Sequence, residues 1–398
     1  MPLRKQKQSM SSSSTKEPIQ VLGGISPERF FADYWQKKPL LIRQAFPDFE
    51  CPISADELAG LALEGEIESR IIIEHGVENK WELKSGPFVE TDFQTLPETH
   101  WTLLVQQLDA WSPEINQLKD YFRFVANWRI DDIMASYAPI GGSVGPHFDH
   151  YDVFLLQAEG HRNWKLGQHC DELTPRLANT PLSIIENFVC TDEWTLSPGD
   201  MLYLPPKLAH FGVATDECIT LSIGFRAPRH EQLLDDFGHF VLDNTNGKQF
   251  YEDPDAIPQQ HAGEISTQAL DNIDSILDQH LNNPALRKRW FLSYISETKN
   301  QASLGEPDPD FSESELEELL TANIEIKQNE GSRFVYITDE LLMAVDGKCY
   351  SFSQDMLPAI QTICQSSSFY PSLLPRLNDK KAIFELLLRL IREGSLYS

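Results

Sequence analysis

Paired cysteines are missing from this 398-residue chain. Its six cysteines (Cys51, Cys170, Cys190, Cys218, Cys349, Cys364) show no C-x-x-C and no other metal-like spacing. That pattern excludes a zinc ribbon and a disulfide-stapled secreted scaffold, and it points to reduced thiols in a cytoplasmic protein. No run of eighteen apolar residues occurs, so no membrane-spanning helix is expected. Residues 1–17 are basic and Ser-rich, lack the apolar core of a signal peptide, and read as a disordered tail. Positive charge is scarce as well, with 33 Lys plus Arg against 60 Asp plus Glu and a net charge of −27. Such a surface repels phosphate, which disfavours DNA, RNA and anionic membranes as partners and favours a basic protein. A phosphate-binding glycine loop, a Ser/His/Asp or Cys/His arrangement and an internal repeat are all lacking.

What is present is enough apolar material for a folded protein of two or three domains, 41% of residues being hydrophobic. Helical spacing occurs in Pro27-Glu-Arg-Phe-Phe-Ala-Asp-Tyr-Trp35 and Ala55-Asp-Glu-Leu-Ala-Gly-Leu-Ala62, and Arg70-Ile-Ile-Ile-Glu74 reads as a strand. Between residues 121 and 226 short apolar segments alternate with turn signals such as Gly145-Pro146, Glu159-Gly160 and Ser197-Pro-Gly-Asp200, the pattern of a β-sandwich or small barrel. After Pro228 the period becomes helical, with Leu270, Ile273, Ile276, Leu277 and Leu281, then Leu286, Trp290, Phe291 and Tyr294. The linker Gly305-Glu-Pro-Asp-Pro-Asp310 opens a last segment that reads as helix (313–322), two strands around 324–337, and helices near Leu357 and over 382–391. A winged helix fits that order. With 8 Lys plus Arg against 16 Asp plus Glu from residue 305 onward, a protein-contact role is expected rather than direct DNA binding.

The chemistry concentrates in Gly141-Gly-Ser-Val-Gly-Pro-His-Phe-Asp-His-Tyr-Asp-Val-Phe154. Read as a strand, His147 and Asp149 share a face and can reach one ion. His210, 63 residues on and just after Met201-Leu-Tyr-Leu-Pro-Pro206, supplies a second imidazole. Two histidines and a carboxylate on one face of iron(II) leave positions open for oxygen and a chelating ligand. A second copy, His150-Tyr-Asp152, overlaps the first, and strand parity does not choose between them. The Gly145-Pro146 turn, which sets His147 at a strand mouth, favours His147 and Asp149. Arg162 follows after the Glu159-Gly160 turn, where the returning strand would point it into the barrel. A buried guanidinium needs an anion, and a bidentate carboxylate such as that of 2-oxoglutarate suits it.

These motifs in this order, Gly-Pro-His147-x-Asp149-x-Tyr-Asp-Val-Phe, Gly160-His-Arg-Asn-Trp164, Pro198-Gly-Asp-Met-Leu-Tyr-Leu-Pro-Pro206, His210 and Ser222-Ile-Gly-Phe-Arg-Ala-Pro228, resemble the bacterial JmjC-type ribosomal oxygenases. The resemblance runs through most of the chain beyond the tail. It implies an α+β protein: a double-stranded β-helix of the cupin/JmjC type (18–228), a helical dimerisation region (229–304) and a C-terminal winged-helix-like domain (305–398). It further implies iron(II), 2-oxoglutarate and oxygen, with hydroxylation of an arginine in large-subunit ribosomal protein sixteen. Carried over, His147, Asp149 and His210 match the metal ligands. Arg162 matches the residue that binds the 2-oxoglutarate C5 carboxylate, with Ser222 as an accessory hydroxyl. For a guanidinium substrate the adjacent acids Asp131 and Asp132 must point to opposite faces if they lie on a strand; the resemblance favours Asp132, with Asp131 in reserve. Tyr151 is placed to pack against the substrate arginine.

Three other readings follow from the same residues. A cupin metalloenzyme could use the triad without 2-oxoglutarate and would not need Arg162. A ribosomal oxygenase could instead hydroxylate histidine, and a barrel that has lost its chemistry could serve only as an interaction protein, against which the intact ligand set argues. Apolar helical residues between 231 and 299 exceed what one layer buries, so a homodimer through that region is expected.

Overall fold

A computed structural model describes residues 18–76, 81–245, 247–258, 260–374 and 380–398. The expected N-terminal tail, residues 1–17, lies outside the described residues. The chain separates into two compact units, one up to Ala227 and one from Pro228.

Among the described residues the first unit has eleven strands. They are β1 (Leu40–Ile42), β2 (Ser69–Glu74), β3 (Trp81–Ser85), β4 (Trp101–Val105), β5 (Ile130–Ala138), β6 (Val153–Glu159), β7 (Arg162–His169), β8 (Asp192–Leu196), β9 (Met201–Leu204), β10 (Leu208–Ala214) and β11 (Cys218–Phe225). One sheet runs β1-β9-β6-β11-β5-β4-β2-β3 and the other β10-β7-β8. The pairings are antiparallel, and the two sheets make the double-stranded β-helix. Strand alternation divides the core. On β6, Phe154 and Leu156 face outward with Tyr203, Ile133, Leu221 and Ile223 toward Phe30, Leu58 and Phe122. Val153 and Leu155 face inward with Trp164, Leu166, Leu196, Leu202 and Leu204. β6 is therefore buried on both faces until its last residue, which is why it reads as a continuous apolar run.

The outer layer is pinned by aromatic rings. Ser26 caps helix Pro27–Asp33 by accepting from the Arg29 N–H, and Pro27 enters the first turn where no N–H is needed. The helix thereby delivers Phe30, wholly buried, 5.6 Å from the Phe154 ring and 5.0 Å from Tyr203. Burying a side chain of that size is worth roughly 1.5–3 kcal/mol. Gly160, at φ +60°, makes the β6–β7 turn; a Cβ there would come within 2.0 Å of the Glu217 carbonyl, so the turn that returns Arg162 to the barrel demands glycine.

The second unit starts with helix His230–Asp243, followed by Thr267–Leu281 and Pro284–Ser296. Trp290 of the third helix packs on Phe237 of the first with rings 4.9 Å apart and donates from Nε1 to Asp236 at 2.6 Å. The same helix rests on an antiparallel sheet of β13 (Phe334–Ile337), β14 (Leu342–Val345) and β15 (Lys348–Ser351). A small sheet centred on β12 (Ile326–Gln328), paired with β16 (Ser368–Phe369) and β17 (Leu396–Tyr397), joins helices Glu313–Ala322, Leu357–Gln365 and Lys380–Arg392 around a core of Leu316, Ile360, Ile363, Leu387 and Leu390. The linker at residue 305 is the domain boundary expected from the sequence. In the structure helix Pro284–Ser296 already packs on the β-ribbon, because its Ser293 and Ser296 hydroxyls bond the Gly347 backbone.

Candidate metal centre

His147, Asp149 and His210 converge, each offering one ligand atom, with those atoms all within 4.8 Å of one another. They come from two segments joined by a single β-bridge. The His147 N–H donates to the His210 carbonyl at 3.0 Å and the His210 N–H to the His147 carbonyl at 2.8 Å, while the Lys207 N–H holds the Asp149 carbonyl at 2.6 Å. This corrects one expectation: His147, Asp149 and Tyr151 do not ride a regular strand. Residues 148–152 leave the sheet as bends and irregular chain before β6 begins at Val153, so strand parity does not govern which of their side chains meet.

Both imidazoles are oriented by their own backbone. Nδ1 of His147 lies 2.9 Å from the Gly145 carbonyl and Nδ1 of His210 lies 3.0 Å from the Leu208 carbonyl. A carbonyl accepts only, so each Nδ1 carries the proton and each Nε2 lone pair is left for an ion. Gly145, at φ +78°, places that carbonyl, and its hypothetical Cβ would meet Ile184 at 2.9 Å. Nε2 of His210 sits 3.6 Å from Asp149 Oδ2. Complete burial and the neighbouring His147 push the His210 pKa down to about 4, so the ring is neutral at neutral pH. Two imidazole nitrogens and one carboxylate form the donor set that suits an iron(II)-type centre with open positions.

The overlapping copy behaves differently. His150 is exposed, and Asp152 is wholly buried but turned away, accepting from Tyr203 Oη at 2.6 Å and Gln36 Nε2 at 2.9 Å, with Arg129 Nη2 at 3.5 Å. Burial raises the Asp152 pKa, while Tyr203, Gln36 and Arg129 counter it. Its work is structural: it ties the ligand loop to the N-terminal segment. In the sequence it is only half of a duplicate motif, because its partners lie 23 to 116 residues away.

Arg162 is 3% exposed, on the inward side of β7. Its Nη2 reaches the Cys218 sulfur at 3.7 Å, and Nε has no hydrogen-bond partner. Among the described residues no carboxylate pairs with it. Ser222 on β11 stands directly across from Leu155 and Met134, and since Leu155 faces the interior, Ser222 does too. Asp132, two residues before Met134 on β5, shares that side, and its carboxylate borders Gly224. Asp131 has the opposite parity and is engaged by Arg226 Nε at 3.0 Å. The Tyr151 hydroxyl connects this group to the metal ligands. The charge of Asp149, then burial, Asp132, a hydrogen bond to Asp149 and Asp131 raise its pKa far above the ordinary phenol, so it stays protonated and donates to Asp149. Tyr151 thus links Asp149 of the triad to Asp132, while Arg162 lies on the inward side of β7.

Known proteins match this arrangement. A JmjC domain family matches residues 117–233, and a ROXA-like winged helix family matches residues 279–397. The chain is 35% identical over 312 residues to the ribosomal protein uL16 3-hydroxylase of Escherichia coli strain K12, an alignment covering 78% of this chain and 82% of that protein. It is 44% identical over 213 residues to a probable ribosomal oxygenase of Haemophilus influenzae, covering 53% of this chain and about half of that protein, 52%. The X-ray structure of E. coli ycfD superposes with a TM-score of 0.85 at 31% identity, covering 94% of this chain and 98% of that one. The same coverage and identity, at a TM-score of 0.82, hold for YcfD in complex with cobalt and 2-oxoglutarate. A cupin barrel with a His-Asp-His centre, a winged helix later in the chain and this degree of likeness over most of its length mean that the chain belongs to the JmjC ribosomal oxygenases.

Proposed function

We propose that the protein is an iron(II)- and 2-oxoglutarate-dependent oxygenase that hydroxylates an arginine side chain of a large-subunit ribosomal protein, the uL16 class acted on by its E. coli relative. The observation that carries the reading is Arg162, a buried guanidinium without a carboxylate partner, inside the same barrel as an open two-histidine, one-carboxylate triad. A buried cation without an anion is costly, and a ligand dicarboxylate removes that cost when it binds. Iron with 2-oxoglutarate supplies oxidative decarboxylation coupled to hydroxylation of a nearby C–H bond.

The chain's own residues then have these tasks. His147, Asp149 and His210 hold the ion. Arg162, with Ser222 as an accessory hydroxyl, anchors the far carboxylate of the co-substrate and so aligns its other end on the metal. Leu155, Leu166, Leu196, Leu202 and Leu204 keep water from the barrel. Asp132, with Asp131 behind it, accepts the substrate guanidinium, and the Tyr151 ring packs along its stem. No side chain has to act as a general base. Two copies associate through the helical region in this reading, because Leu270, Ile273, Ile276, Leu277 and Leu281 of one amphipathic helix are 39–52% exposed.

The test incubates the purified protein, iron(II) and 2-oxoglutarate with the basic ribosomal protein, follows succinate, and maps added oxygen by mass spectrometry. One oxygen atom on an arginine, absent without 2-oxoglutarate, is the expected result. Oxygen on a histidine would move the substrate residue. Metal-dependent chemistry independent of 2-oxoglutarate and insensitive to Arg162→Ala would instead favour a cupin enzyme of another class.

A further inference from the structure

Among the described residues, two buried side-chain polar atoms have no hydrogen-bond partner, Arg162 Nε and Trp164 Nε1. The pairing of these two is informative. They lie two apart on β7, so they project from the same face into the barrel. Trp164 is 5% exposed, its ring centroid is 5.8 Å from the Arg162 guanidinium carbon, and it is 6.0 Å from the His210 ring. The indole therefore neighbours both the guanidinium and one of the candidate metal ligands. Its position is fixed by Gly212, its cross-strand partner on β10, where an added Cβ would sit 2.7–2.9 Å from the ring atoms. A buried indole N–H that finds no acceptor in its own protein is a standing penalty, and folded proteins retain few such groups outside binding sites.

We propose that Trp164 is a binding residue whose indole N–H donates to the distal carboxylate of a linear 2-oxo dicarboxylate, as a second donor beside the Arg162 guanidinium. This rests on the 2-oxoglutarate reading above and adds to it a neutral donor that selects for a ligand with a carboxylate at that end. An arginine alone fixes charge; an arginine with a rigid N–H at a set distance also fixes reach.

The experiment measures equilibrium binding by calorimetry to manganese(II)-loaded protein without oxygen, comparing wild type with Trp164→Phe for two ligands. One is 2-oxoglutarate; the other is oxalate, which chelates a metal but has no distal carboxylate. The expected result is a loss of about tenfold or more in 2-oxoglutarate affinity with oxalate affinity and manganese binding unchanged. Equal 2-oxoglutarate affinity in the two proteins overturns the inference, and so does equal weakening of both ligands, which would mark a packing role. If wild type itself fails to bind 2-oxoglutarate, the parent reading falls and the inference with it. A second measurement needs no variant: in protein carrying nitrogen-15 in its eight tryptophans, one indole N–H resonance should move downfield with 2-oxoglutarate and not with oxalate. If none does, the donor role is wrong.

Discussion

His147 and His150 are three residues apart and chemically identical, yet only His147 reaches the ion site, because its backbone pairs with His210 while His150 is exposed. His147→Ala should abolish succinate formation at saturating iron, and His150→Ala should retain most of it. The reverse result would shift the ligand register by three. Asp200 shows the same dependence on placement in a purely structural role. Burial alone would raise its pKa, but the Gln44 and Ser197 N–H groups and Arg43 outweigh burial and hold it below the ordinary carboxylate. A depressed folded-state pKa means that Asp200 stabilises the fold above about pH 4 and loses that contribution as pH falls through the folded value. Asp200→Asn should cost about 1.5–3 kcal/mol in urea unfolding at pH 7 and flatten the decline in stability below pH 4.

At the level of elements, helix Thr267–Leu281 has a Ser266 cap, a polar face and an apolar stripe with no buried residue. Ile276→Glu should turn a dimer into a monomer in light scattering at micromolar concentration with little change in circular dichroism. A wild-type protein that is already monomeric would remove the proposed interface. Helix Glu313–Ala322 lies where the sequence predicts it, and in the structure Ser312 and Glu315 form a reciprocal capping box at its start while Asn323 closes it in the left-handed region. Ser312→Ala should cost about 1 kcal/mol, read by thermal melting. The strand pair β14 and β15 was missed. Each is only four residues long and joined by the tight Asp346-Gly347 turn, too short for a period-two pattern to stand out.

On the scale of the whole molecule, the net charge of −27 bears on association with the basic substrate proposed above. Under that proposal, raising salt should increase KM for the ribosomal substrate severalfold while the affinity for 2-oxoglutarate, assigned to the buried Arg162, changes little. No helix among the described residues is long and apolar enough to cross a membrane.

Local order determined what the chain could announce by itself. Motifs made of neighbours in sequence, such as the Gly-Pro-His-x-Asp run and the helical stripes, depend on backbone geometry within a few residues and were readable directly. Tertiary structure decided what depends on distant partners. It took Asp152 out of the metal site by placing Gln36 and Tyr203 against it, engaged Asp131 through Arg226, and set Ser222 on the inner wall. It also left two atoms, Arg162 Nε and Trp164 Nε1, buried without an acceptor among the described residues. Burial and pairing are properties of where strands meet, and that register arises only once the barrel has closed.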